Sequence, residues 1–193
     1  MAFTNLETKE INCKVLYLGP KSSGKTSNFA SIFQHSQDKL SNNRFMLEQE
    51  SDPFFEFLPI SLGYLKDFHV KLHLYTLPRE SMYETVNSVL LKGLDGFVYV
   101  FDSRLQAMQE NLRHWMATKD FLASEGFNML TLPRVLQYNK RDHPEAVAIE
   151  VLRHELNPGG ASDIEASASQ SLGTLETVQL ISQKILDQLA EQA

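Results

Sequence analysis

Eight consecutive residues, Gly19-Pro20-Lys21-Ser22-Ser23-Gly24-Lys25-Thr26, spell the phosphate-loop pattern G-x-x-x-x-G-K-[ST]. No other feature constrains the fold as tightly. The apolar run Val15-Leu16-Tyr17-Leu18 precedes it, and a helix-compatible segment over 27–33 follows. Strand, loop and helix are the context in which the pattern carries meaning. Backbone N–H groups of a loop that ends at a helix N-terminus converge on one spot and favour an anion there. Gly19 and Gly24 allow close approach where a Cβ would obstruct. Lys25 brings a point charge to the β- and γ-phosphates, and the Thr26 hydroxyl can ligate Mg²⁺. Lys21, Ser22, Ser23 and Ser27 complete the binding set. Chance alone would produce the four fixed positions in about one chain of this length in a hundred. With the flanking elements in place, the chain reads as binding a nucleoside polyphosphate, or as descending from one that did.

Length and composition fit one soluble domain over 1–193. Charged residues make up 22% and apolar ones 42%, with a net charge of −6. The acidic balance argues against nucleic acid or an anionic bilayer as main partner. No apolar run reaches the length of a transmembrane helix, and no signal peptide, prenylation box or myristoylation site is visible. Any membrane attachment is therefore expected through a partner. The single cysteine, Cys13, excludes an internal disulfide, fits the cytoplasm and reads as a small apolar filler.

Patterning alternates strands and helices. Residues 1–10 form a short strand or an arm. A strand over 11–18 feeds the phosphate loop and a helix from 25 to about 35. The stretch 36–51 reads as a loop. Strands over 54–65 and 68–76, joined by Lys66-Asp67, form an antiparallel hairpin, since a two-residue link cannot make a parallel crossover. A helix follows Pro78 as far as about residue 92, with Val86, Val89 and Leu90 inward. Gly96-Phe97-Val98-Tyr99-Val100-Phe101 reads as a strand covered on both faces. A helix over 105–124 sets Leu105, Met108, Leu112, Trp115 and Leu122 on one stripe. A strand over 134–138 leads to a helix after Pro144 carrying Val147, Val151 and Leu152. A short strand at Asp163-Ile164-Glu165 precedes a last helix over 172–190. Its inward residues are Leu175, Val178, Ile181, Ile185 and Leu189. The fold class is α/β, with a mixed, mostly parallel sheet, one antiparallel hairpin and helices on both faces.

A second motif selects the nucleotide. Asn139-Lys140-Arg141-Asp142 is N-K-x-D at a strand end, where open α/β sheets bind ligands. Asp142 can accept from guanine N1–H and N2–H₂, a donor pair that adenine lacks. Lys140 supplies a stem over the base, and Asn139 can tie this loop to the phosphate loop. Together with the P-loop, this points to GTP or GDP. Glu165-Ala166-Ser167 then falls where a backbone N–H can meet guanine O6. His69 and His73 lie four apart on one strand without further ligands, which does not make a metal site.

These motifs, with Phe54-Phe55-Glu56-Phe57-Leu58-Pro59, His73-Leu74-Tyr75-Thr76 and Gly93-Leu94-Asp95-Gly96, resemble the bacterial cell-polarity GTPases of the MglA type. The resemblance spans about residues 8 to 190. It implies a Ras-like G domain, GTP/GDP switching with Mg²⁺, and recruitment from the cytoplasm to a cell pole. It also implies Roadblock-domain activators of the MglB type, and response-regulator or scaffold proteins, as partners. Thr76 fits the family, which has threonine where most small GTPases carry the Asp of D-x-x-G.

The departures from the family concern hydrolysis. Where the family resembles Thr-x-x-Gly-Gln, this chain reads Thr76-Leu77-Pro78-Arg79-Glu80. Arg79 replaces the glycine that meets the γ-phosphate, and Glu80 replaces the water-orienting glutamine. Where the family carries an Arg-Thr pair, the alignment offers Ser51 and Asp52, and residues 45–53 contain neither Arg nor Thr. Loss of an arginine finger alone removes on the order of 10³–10⁵ in rate. Arg79 and Glu80 remain the candidate catalytic residues, with Arg79 a possible substitute cation. The expected function is a guanine-nucleotide switch in polarity and motility with weak or absent intrinsic hydrolysis. The alternative is a pseudo-GTPase scaffold with structural or missing nucleotide. A nucleotide kinase is disfavoured, because no Arg-rich lid follows Arg141.

Overall fold

A computed structural model describes residues 3–36, 56–76 and 91–192. Seven strands form one sheet: β1 (Phe3–Asn5), β2 (Glu10–Leu18), β3 (Glu56–Leu65), β4 (Phe68–Thr76), β5 (Leu94–Asp102), β6 (Arg134–Asn139) and β7 (Asp163–Glu165). The order is β3-β4-β2-β5-β6-β7. β3 and β4 form the expected antiparallel hairpin, while β4, β2, β5, β6 and β7 run parallel to one another. β1 pairs antiparallel with the start of β2, before β5 takes over pairing at Lys14.

Period-two alternation divides the core. Cys13, Val15 and Tyr17 of β2, with Val98 and Val100 of β5, face α1 (Lys25–Ser36) and the C-terminal helix. Leu16 and Leu18, with Phe97, Tyr99 and Phe101, face the opposite layer. There α2 (Met108–Ser124) contributes Trp115 and Leu122, and α3 (Ile149–Leu156) contributes Leu152 and Leu156. The C-terminal helix, α4 (Thr174–Gln192), buries Val178, Ile181 and Ile185. Every residue of β5 is buried, as a strand covered on both faces requires. Cys13 lies in this core, and burial, aided by the nearby Asp95 charge, pushes its thiol up to about 12.

Three expectations change. Leu105 is 69% exposed, because Leu105–Ala107 form a 3₁₀ turn that rotates it off the α2 stripe. The third helix starts at Ile149 rather than after Pro144. Val147 N–H donates to the Ser103 carbonyl and Ala146 bridges to Arg104, which holds this segment against the end of β5. Val151 consequently faces out and Leu152 in. Leu172 precedes the last helix, exposed and bridged to Ser167. Of the expected 36–51 loop, Ser36 closes α1 and the rest lies outside the described residues, as do Val86, Val89 and Leu90 of the helix expected after Pro78; Leu91 is helical.

Because these strands are parallel, Leu18, Thr76, Asp102, Asn139 and Glu165 end along one edge of the sheet. That edge is where an open α/β sheet presents its ligand site.

Candidate functional site

The phosphate loop leaves β2 with Gly19 at φ 136° and reaches Gly24 at φ 104°. A Cβ on Gly19 would stand 2.3 Å from the Val100 carbonyl oxygen, and one on Gly24 would stand 2.0 Å from Asn139 Nδ2. Both positions therefore require glycine twice over, for conformation and for space. Ser22 adopts φ 61°, so positive-φ residues recur at 19, 22 and 24, a backbone pattern related to anion-binding nests. Lys25 Nζ donates to the carbonyls of Gly19 and Pro20 at 2.7 and 2.8 Å. The same lysine stands on the first residue of α1, with Thr26 and Ser27 exposed beside it. Ser23 is buried and points its hydroxyl to no partner among the described residues.

Asn139, buried at the end of β6, joins three segments. Its amide Nδ2 donates to the Ser23 carbonyl at 2.8 Å, and its Oδ1 accepts the Ala168 N–H at 2.9 Å. Lys140 follows with φ 64° and donates to the Ser22 carbonyl at 2.6 Å and to Asp102 at 2.8 Å. Asp142 accepts the Ser167 hydroxyl on one carboxylate oxygen at 2.6 Å and the Ser169 hydroxyl on the other at 3.1 Å. The Ser167 hydroxyl bond holds the Asp142 carboxyl below its ordinary range, so it stays ionised as an acceptor. Each of its oxygens retains a second lone pair for a further donor.

The loop after β7 is arranged differently from the expectation that centred on Glu165-Ala166-Ser167. Glu165 is exposed and its carboxylate accepts from Arg141. The N–H groups of Ala166 and Ser167 are taken by the carbonyls of Tyr138 and Leu172. The N–H that reaches the N-K-x-D loop belongs to Ala168, two residues further on. Only the Ser167 side chain, of those three residues, points to Asp142. The alternation Ser167-Ala168-Ser169 was the available signal for both hydroxyls.

Asp102 was not anticipated. It is buried at the tip of β5 and accepts from Arg104 through Nε and Nη2, and from Lys140. Burial alone would raise its carboxyl; the bonds from Arg104 and Lys140 outweigh that and hold it below the usual range. Gln137 was also missed. Its Nε2 donates to Asn28 Oδ1 and Thr177 Oγ1, both at 2.8 Å, and Asn28 Nδ2 donates to the Gly24 carbonyl. The floor of the phosphate loop is thus braced by β6 and α4.

Thr76 ends β4 beside the loop, buried, and its hydroxyl donates to Glu56 at 2.8 Å. Arg79, Glu80, Ser51 and Asp52 lie outside the described residues. His69 and His73 bond Ser61 and Asn12, respectively. Among the described residues, no helix is long and apolar enough to cross a membrane.

The donor set fits a guanine nucleotide with a divalent cation. The glycine cradle admits phosphates without a Cβ in the way, Lys25 is in place, Thr26 offers an exposed hydroxyl, and Asp142 is an ionised acceptor at the base end. No protein-family model matches the chain. Among curated proteins, the Mutual gliding-motility protein MglA of Myxococcus xanthus (strain DK1622) is 36% identical over 191 residues, covering 98% of each chain.

Proposed function

The chain belongs to the MglA-type family of Ras-like small GTPases, and from that premise we propose that it is a guanine-nucleotide switch controlling motility and cell polarity, with weak or absent intrinsic hydrolysis. The observation that carries this reading is the Asn139 bridge between the phosphate loop and the loop after β7, with Asp142 oriented by two serines. It supports a phosphate cradle and a guanine acceptor side by side on one edge of the sheet, one strand apart.

In this reading Gly19, Lys21, Ser22, Ser23, Gly24, Lys25, Thr26 and Ser27 hold the phosphates. Asn139, Lys140 and Asp142 hold the base, with Ser167, Ala168 and Ser169 of the loop after β7 orienting them. Thr26 would ligate Mg²⁺, which supplies charge neutralisation between the β- and γ-phosphates. Arg79 and Glu80 stand where the family has its glycine and glutamine. A carboxylate can orient water, but its charge opposes approach to a phosphate in a low-dielectric site. Roadblock-domain activators and response-regulator or scaffold proteins are the proposed partners. Recruitment of the cytoplasmic protein to a cell pole would then go through them.

Hydrolysis tests the proposal. The purified protein should release GDP or GTP on denaturation. Its single-turnover phosphate release should be slower than the unaided Ras-like rate of about 10⁻⁴ s⁻¹. Arg79→Gly with Glu80→Gln should raise that rate. A wild type at or above the Ras-like rate that loses it on Arg79→Ala would show Arg79 acting as the cation, and would overturn the weak-hydrolysis reading.

A further inference from the structure

Three lysines gather at the phosphate loop, and they are held differently. Lys25 closes onto the carbonyls of Gly19 and Pro20. Lys140 closes onto the Ser22 carbonyl and Asp102. Lys21 lies on the same loop, exposed, and its ammonium meets no acceptor among the described residues. The phosphate-loop pattern leaves position 21 open to any residue, so the pattern does not say which phosphate its side chain meets.

Its place in the loop does. Ser22, Ser23 and Gly24 are tied to the base-reading loop through Lys140 and Asn139, by hydrogen bonds to Ser22 and Ser23 and by the close approach of Asn139 to Gly24. Gly19, Pro20 and Lys21 therefore form the limb away from the base. A polyphosphate anchored at the base end would extend towards that limb with its terminal phosphate leading. An ammonium there with no counter-ion among the described residues, in a chain of net charge −6, is suited to the extra charge of a triphosphate.

We propose that Lys21 contacts the terminal phosphate of a bound nucleoside triphosphate and makes the loop favour triphosphate over diphosphate. It would supply a cation in cis to a chain that has no arginine over 45–53. This rests on the guanine-nucleotide reading of the site. Charge-assisted N–H···O contacts are about twice as strong as neutral ones, and a diphosphate makes none here.

Equilibrium titration of the full chain with fluorescent GDP and fluorescent GTPγS reads the effect. Lys21→Ala should weaken GTPγS binding about tenfold and GDP binding less than about twofold, while Lys21→Arg keeps most of the preference. Because the side chain is exposed, the melting temperature should not move. An unchanged ratio of the two affinities, whether both fall or neither does, overturns the inference and leaves the guanine site standing. A wild type that binds neither nucleotide overturns both.

Discussion

Asp102 carries an unusual load for one side chain. Its two oxygens receive Arg104 and Lys140, and Lys140 in turn holds the Ser22 carbonyl. Protonating Asp102 would release the lysine that clamps the phosphate loop. Since its folded pKa is depressed, its contribution to stability is fully present above the ordinary carboxylate value of about 3.9. It is lost as pH falls through the lower folded value. Asp102→Asn should therefore be less stable than wild type by a constant margin above about pH 5, and that margin should shrink below about pH 4. Urea unfolding at a series of pH values checks this. A margin independent of pH would mean that the charge of Asp102 contributes nothing. The exposed Arg113–Glu110 pair on α2 should show no comparable effect, because solvent screens it.

Between elements, the brace that matters most runs through Gln137, from β6 to α1 and α4 at once. Gln137→Met keeps the volume but removes both donors, leaving Asn28 Oδ1 buried without its partner. We expect a loss of about 1–3 kcal/mol, and weaker nucleotide binding because Asn28 also holds the Gly24 carbonyl. Chemical denaturation with a parallel GDP titration measures both; unaltered binding would detach this brace from the loop. The elements themselves were largely legible in the residues. Polar-apolar alternation marks β2 and the continuous apolar run marks β5, and the two-residue link Lys66-Asp67 dictates the hairpin. What periodicity could not reveal were contacts closed by tertiary pairing. Leu105, Val151 and Leu172 are apolar at helical spacing, yet each faces solvent because a backbone bridge or a 3₁₀ turn decides the local frame. In the site, Asn139 was readable from its motif and its bridging task follows from it. Gln137 and Asp102 were not, since a lone polar residue in an apolar strand has no spacing signature.

For the molecule as a whole, five parallel strands deliver phosphate loop, Thr76, Asp102, the N-K-x-D loop and the turn after β7 to one edge. Two helical layers bury the sheet on both faces, so that edge is fixed relative to the core. With a net charge of −6, binding of an anionic nucleotide would depend on this local arrangement of lysines and amides rather than on a general attraction. The central claim is that the edge reads guanine, through an ionised Asp142 held by Ser167 and Ser169. The direct measurement is a competition titration in which GDP, ADP and XDP displace fluorescent GDP from the wild type and from Asp142→Asn. The account predicts that GDP displaces far more effectively than ADP or XDP from the wild type. In Asp142→Asn, whose amide can donate to the second carbonyl of xanthine, XDP should overtake GDP. Equal displacement by GDP and ADP from the wild type would contradict it.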